Sequence, residues 1–245
     1  MLITSLDNEK VKNYVRLRHR KYREKTNQFL VEGRHLVLEA YKRGVIDELI
    51  LEQNELFPLP VPTVYVTAEV IRKISTLDTP VHIMALCHKM EMNPYLGERI
   101  LLLDEIQDPG NLGTIIRSAK AFDIDTIILG KNTVDLYNPK VVRATQGMMF
   151  HINILSRDLK EVILELKKQG IPIYGTKVEC GEDVRHFQKK DRQKFGLVMG
   201  NEGNGINPEI MSLCDGNLYI EMNPMVESLN VGVAASIILY ELNRR

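Results

Sequence analysis

Two apolar patterns alternate through the second half of this chain. Short continuous runs, Ile100-Leu101-Leu102-Leu103, Thr126 to Leu129 and Phe195 to Met199, are what strands buried on both faces require. Ile171 to Tyr174 and Gly216 to Ile220 add further strands. Between the runs, apolar residues recur at helical spacing: Leu112, Ile115, Ile116, Ala119 and Phe122, then Leu159 to Lys168, then Val231, Ala234, Ala235, Ile238, Leu239 and Leu242. Asp108-Pro109, Asn138-Pro139 and Asn207-Pro208 share one helix-start signature, a capping side chain followed by proline at the first helical position. Strands alternating with helices predict a mostly parallel sheet with helices on both faces.

The first part of the chain is patterned more loosely. Residues 8–25 predict one basic helix with Val11, Val15 and Tyr22 as its sparse apolar side. A strand at Phe29 to Val31 follows, then a helix from Arg34 to Arg43 stopped by Gly44. Val45 to Leu51 and Val61 to Val66 predict strands around Pro58, Pro60 and Pro62, with a helix over Thr67 to Ser75 and a strand over Val81 to His88. This is a small α/β domain over residues 1–92. Asn93-Pro94 and Gly97 break the pattern, placing a linker at 93–98 and a second domain at 99–245.

Composition changes this picture little. The chain is 44% hydrophobic and 26% charged, an ordinary globular balance. No apolar run approaches the roughly 20 residues of a membrane span, and the polar start, Met1 to Glu9, is unlike a signal peptide. The expected location is cytoplasmic. Cys87, Cys180 and Cys214 lack paired spacing and read as reduced thiols. His82 and His88 have no ligand cluster beside them, so no metal site is expected. With 32 basic and 32 acidic residues the net charge is zero, so no nucleic-acid partner is announced globally. Locally, however, Lys10, Lys12, Arg16, Arg18, Arg20, Lys21, Arg23 and Lys25 face a single acid, Glu24, over residues 10–25. Such a run is either a phosphate-binding footprint or a solvated helix face.

The chemistry concentrates where strands run into helices, the place of the ligand crevice in parallel sheets. Phe195 to Met199 leads into Gly200-Asn201-Glu202-Gly203-Asn204-Gly205, and Gly216 to Ile220 leads toward Ser228-Leu229-Asn230-Val231. The first strand of the unit leads into Asp104 to Gly110, which is not a dinucleotide fingerprint, and no phosphate loop of the G-x-x-x-x-G-K-[ST] form occurs. Arg117, off the apolar stripe of its helix, is either a surface arginine or a fixed cation for a phosphate. Glu202 is either a solvated turn carboxylate or an orienting group. Ser228 is a good N-cap for the final helix, with Leu229 and Asn230 in its first turn, and capping is compatible with holding a substrate hydroxyl.

Together these segments resemble the three motifs of the SpoU/TrmH branch of the SPOUT RNA methyltransferases. Asn111, Gly113 and Arg117 match N-x-G-x-x-x-R; Gly200, Glu202 and Gly205 match G-x-E-x-x-G; Ser228 to Val231 match S-L-N-V; and Asn138 to Gly147 is similar to the stretch between the first two. The resemblance covers residues 100–245 well, and the N-terminal domain is similar, more loosely, to the family's ribosomal-protein-like substrate-binding domain. It implies a knotted α/β domain, a homodimer, and transfer of a methyl group from S-adenosylmethionine to a ribose 2′-hydroxyl of RNA, with ribosomal RNA favoured over transfer RNA. It implies catalytic or orienting roles for Asn111, Arg117, Glu202, Ser228 and Asn230. Donor contacts fall on Gly200, Ile220 and Leu229, with Thr176 a lesser candidate. Pro224 and Gly232 stand where many members have glycine and serine. Rival readings are a base-nitrogen methyltransferase and a non-catalytic RNA-binding protein on the same fold.

Overall fold

A computed structural model describes residues 2–178, 181–187 and 193–244. In chain order the elements are β1 (Leu2–Ile3), α1 (Glu9–Arg16), α2 (Arg20–Thr26), β2 (Gln28–Glu32), α3 (Arg34–Arg43), β3 (Ile46–Glu52), β4 (Thr63–Val66), α4 (Ala68–Ile74) and β5 (Ile83–His88). There follow β6 (Arg99–Leu103), α5 (Pro109–Ala121), β7 (Thr126–Leu129), α6 (Pro139–Ala144), β8 (Asn153–Ser156), α7 (Leu159–Lys168) and β9 (Ile173–Thr176). The last are β10 (Glu182–Asp183), β11 (Phe195–Met199), α8 (Pro208–Met211), β12 (Gly216–Tyr219) and α9 (Val231–Asn243). Two compact units emerge: Met1–Glu91 with Asp135–Phe150, and Met92–Val134 with His151–Arg245.

In the first unit five strands lie in the order β1-β4-β3-β5-β2, with β5 antiparallel to both its neighbours. Val11 and Tyr14 of α1 and Val70, Ile71 and Ile74 of α4 pack with Ile50, Val64, Val66 and Met84 of the sheet. The basic segment is not one helix. It breaks at residues 17–19, where Leu17 is buried and His19 is extended. The reason is Arg23, whose Nη1 takes the carbonyls of Leu17 and Arg18 at 2.7 and 2.8 Å and whose Nη2 meets Asp135 Oδ2 at 2.6 Å. A guanidinium only 2% exposed thus caps the end of α1 and pairs with a carboxylate.

Asp135 belongs to the stretch 135–150, which the linear division places in the second domain and the structure packs with the first unit. Three contacts hold it there besides Arg23. Arg143 Nη1 donates to Thr76 Oγ1 at 2.5 Å beside the buried Glu32. Tyr137 and Phe150 flank the fully buried Phe29, with ring centroids 4.7 and 6.4 Å away. His35 Nε2 lies 3.1 Å from the Gln146 carbonyl.

The second unit is a seven-stranded sheet in the order β10-β12-β9-β11-β6-β7-β8, every described pair parallel. On one face Ile100, Leu102, Ile128, Ile173 and Val198 pack with Leu159, Val162, Ile163 and Leu166 of α7. Strand alternation turns Leu101, Leu103, Ile127 and Leu197, all buried, to the other face; α5 and α9 pack together. The chain runs outward from β6 through β7 to β8, returns on the other side at β9, and inserts β11 between β9 and β6. That reversal creates the crevice at the carboxyl ends of the strands. Cys87 is fully buried and Cys214 partly so, and burial pushes both thiols up, Cys214 to about 11. Cys180 lies outside the described residues.

Candidate active site

The carboxyl ends of β9, β11 and β12 open on one cavity of about 680 Å³, within the range of roughly 300–1,000 Å³ usual for small-molecule sites. Its wall includes Thr176 to Val178 after β9, Met199 to Ile206 after β11, Tyr219, Ile220 and Met222 after β12, and Glu227 to Leu229 with Val231, Ala234 and Ile238 of α9. All four expected donor-contact positions, Thr176, Gly200, Ile220 and Leu229, therefore share one wall, together with Glu202 and Ser228. Gly200 is sterically required. A Cβ there would lie 2.3 Å from the Gly205 carbonyl carbon and the Ile206 nitrogen, because the loop folds back on itself through the Asn201–Gly205 bridge.

Three of the expected catalytic residues form a directional chain. Asn230 is the N-cap of α9, its Oδ1 accepting from the Gly232 and Val233 amides at 3.0 and 3.2 Å. That fixes which end of its carboxamide is oxygen, so Nδ2 points away and donates to Asn111 Oδ1 at 2.9 Å. The remaining Nδ2 of Asn111 donates to the Glu202 carboxylate. Asn111 is itself set in the first turn of α5, its amide held at 2.8 Å by the capping carboxylate of Asp108. Each asparagine here both accepts and donates, which neither aspartate nor alanine reproduces.

Two expectations are corrected. Ser228 does not cap the last helix; Asn230 does. Serine and asparagine are comparable caps; the helix begins at Val231, so the residue before it, Asn230, takes the capping position. Nor are all eight basic residues of 10–25 available to a polyanion. Arg23 is buried in its pair with Asp135, Arg18 donates to the carbonyls of Lys73, Ile74 and Ser75 at the end of α4, and Lys10 and Arg20 pair with Glu48 and Glu24. Arg117 is exposed on α5, makes no hydrogen bond or ion pair with any described residue, and is not in the wall of its own chain's cavity.

Residues that sequence reasoning left without a role include Lys177, Met222 and Glu227 in the wall and Asn201 in the glycine-rich loop. Only Asn201 carried a signal, an asparagine between glycines after a strand, the composition of an Asx turn. Beneath the loop, Asp104 accepts from the Asn207 amide at 2.7 Å; burial raises its pKa, and that hydrogen bond opposes the rise. Among the described residues no group of three or more His, Cys, Asp or Glu could hold a metal ion. His82 and His88 instead meet Glu52 and Asp47. No helix among the described residues is long and apolar enough to cross a membrane.

Parallel strands ending on a cavity, with Glu202 in its wall and linked to Asn111 and Asn230 outside that wall, are the arrangement of an α/β protein that takes a small molecule. Residues 98–240 match the SpoU rRNA Methylase family and residues 8–85 the MRM3-like substrate binding domain. The chain belongs to the SpoU rRNA methylase family. It is 39% identical over 98% of its length, and 98% of the relative's, to the 23S rRNA (guanosine(2553)-2′-O)-methyltransferase RlmP of Bacillus subtilis. Among solved structures it resembles an AdoMet-bound rRNA methyltransferase from Sinorhizobium meliloti, with TM-score 0.87, 30% identity and 99% and 97% of the two chains covered. The SpoU methyltransferase AviRb from Streptomyces viridochromogenes, in complex with AdoMet, gives TM-score 0.87 at 25% identity, covering 96% and 97%. The protein is an S-adenosylmethionine-dependent RNA 2′-O-methyltransferase.

Proposed function

We propose that this enzyme methylates a ribose 2′-hydroxyl of large-subunit ribosomal RNA and that the cavity beyond β9, β11 and β12 holds its methyl donor. The observation that carries the assignment is the convergence of Thr176, Gly200, Ile220 and Leu229 on one wall beside the linked Asn230, Asn111 and Glu202. The full-length similarity to an enzyme named for 23S rRNA supports the choice of RNA over a transfer RNA substrate. We assign the enzyme to the cytoplasm with that substrate, and we take the loop after β11 and segment 220–230 to be the knotted part of the chain.

When bound, S-adenosylmethionine supplies a methyl group already activated on a sulfonium. What remains for the protein is orientation and proton removal. Backbone groups near Gly200, Ile220 and Leu229 bind the donor, while Asn111 and Asn230 keep Glu202 in place at the rim. Arg117 holds an RNA phosphate; a guanidinium stays charged, so positioning is its primary role. Arg117 is exposed and, unlike Asn111 and Asn230, has no hydrogen bond to Glu202 or its partners; we assign it to a site completed by a second subunit. The apolar residues Val233, Ile237 and Tyr240, exposed on α9 at 45%, 36% and 54%, suit the face of such a homodimer.

The test is mapping of 2′-O-methyl groups in total RNA from cells with and without the gene. Loss of one site in 23S rRNA is expected. Loss confined to a transfer RNA, or a changed base nitrogen with ribose sites intact, would overturn the assignment.

A further inference from the structure

Asn201 lies between the cavity and the loop that follows β6, and both ends of its side chain are committed. Its Oδ1 accepts from the Gly203 and Asn204 amides at 2.8 and 3.2 Å, shaping the turn that carries Glu202. Its Nδ2 donates at 2.9 Å to the carbonyl of Glu105. Glu105 is itself held in an uncommon backbone conformation, φ +56°, with its carboxylate accepting from Asn132 Nδ2 at 2.9 Å. Asn132 has left-handed backbone too, φ +64°. The glycine-rich loop is thus tied through one carboxamide to the backbone carbonyl of Glu105, a residue whose side-chain carboxylate a second asparagine holds.

We propose that Asn201 is a positioning residue for methyl transfer: its tether to the Glu105 carbonyl fixes the cavity wall at Gly200–Ile206 and the reach of Glu202 to Asn111. The role assumes that the cavity holds the donor, as proposed above. A loop built from three glycines in six residues (Gly200, Gly203, Gly205) has many accessible conformations. One side-chain bond to a neighbouring loop selects among them before the donor arrives, so less ordering is left to binding.

Asn201→Asp separates the two ends of the side chain. Aspartate keeps the acceptor for the turn amides, as Asx turns allow, but loses the donor and sets a carboxylate against a carbonyl oxygen. Calorimetry with S-adenosylmethionine should show affinity reduced about tenfold, and turnover at saturating donor should also fall because Glu202 is no longer held. The thermal midpoint of the free protein and its affinity for RNA should stay near the parent's, which a general structural defect would not permit. Asn132→Ala frees the Glu105 carboxylate, loosens the residue whose carbonyl Asn201 holds, and should weaken donor binding in the same direction. The double variant should lose less than the sum, since both act through Glu105. Parental donor affinity and turnover in Asn201→Asp, or strictly additive losses, would overturn the tether. Ala234→Phe, which fills the cavity, separates the two assignments. If it abolishes donor binding while Asn201→Asp binds as the parent does, the tether alone is wrong; if it leaves donor binding intact, the cavity assignment and the tether both fall.

Discussion

Asn111, Asn230 and Arg117 are all polar residues at helix starts or faces, yet they do different things. Asn230 belongs to the fold and to the site at once, capping α9 and orienting Asn111. Asn230→Ala should therefore cost about 1 kcal/mol of stability through the lost cap and also reduce both donor affinity and turnover, read by thermal denaturation and calorimetry together. Arg117 has no hydrogen-bond or ion-pair partner among the described residues, so Arg117→Ala should leave stability and donor binding unchanged while abolishing methyl transfer. Near-normal turnover in that variant would refute its assignment to an RNA phosphate. Gly232 sits where two helices meet. A Cβ there would lie 3.2 Å from Thr114, so α9 and α5 approach each other closely at this turn.

At the scale of elements, the N-terminal segment shows how a charge pattern can mislead. Eight basic residues in sequence are one electrostatic run, but folding spends some of them internally. Arg23→Ala should destabilise the protein by about 3–5 kcal/mol, because Asp135 and two carbonyls lose their buried partner. Chemical denaturation measures this. Arg16, Lys21 and Lys25 remain exposed, with Arg16 lying 6.0 Å from the Tyr22 ring centroid. Replacing these three by alanine should leave stability unchanged, weaken RNA binding and flatten the salt dependence by up to about three phosphate contacts' worth. An unchanged salt slope would return the segment to a solvated helix face. The break between α1 and α2 was not legible in sequence, since no glycine or proline marks it. It depends on Asp135, more than a hundred positions away.

For the whole molecule, α9 carries apolar residues on more than the face it buries. Leu239 and Leu242 are covered within the chain, while Val233, Ile237 and Tyr240 are not. Ile237→Asp should shift the parent from dimer to monomer in light scattering and remove activity, while S-adenosylmethionine still protects against heat. A monomeric parent at micromolar concentration would refute the dimer.

Five of the seven strands in the second unit followed from local pattern; β8 (Asn153–Ser156) and β10 (Glu182–Asp183), both short and at the sheet's edges, did not. Runs such as Ile100 to Leu103 have one stable use, and cap-proline pairs start helices wherever they fall. The motif residues were picked out by their resemblance to a family; the structure links Asn111, Glu202 and Asn230 by hydrogen bonds and leaves Arg117 outside the cavity wall. Tertiary structure alone decided which distant groups meet. It inserted β11 between β9 and β6, joined Asn230 through Asn111 to Glu202, tied Asn201 to Glu105, and packed residues 135–150 with the first unit. These depend on pairings between residues far apart in sequence. No local propensity encodes them, since the partners are brought together only by the tertiary fold.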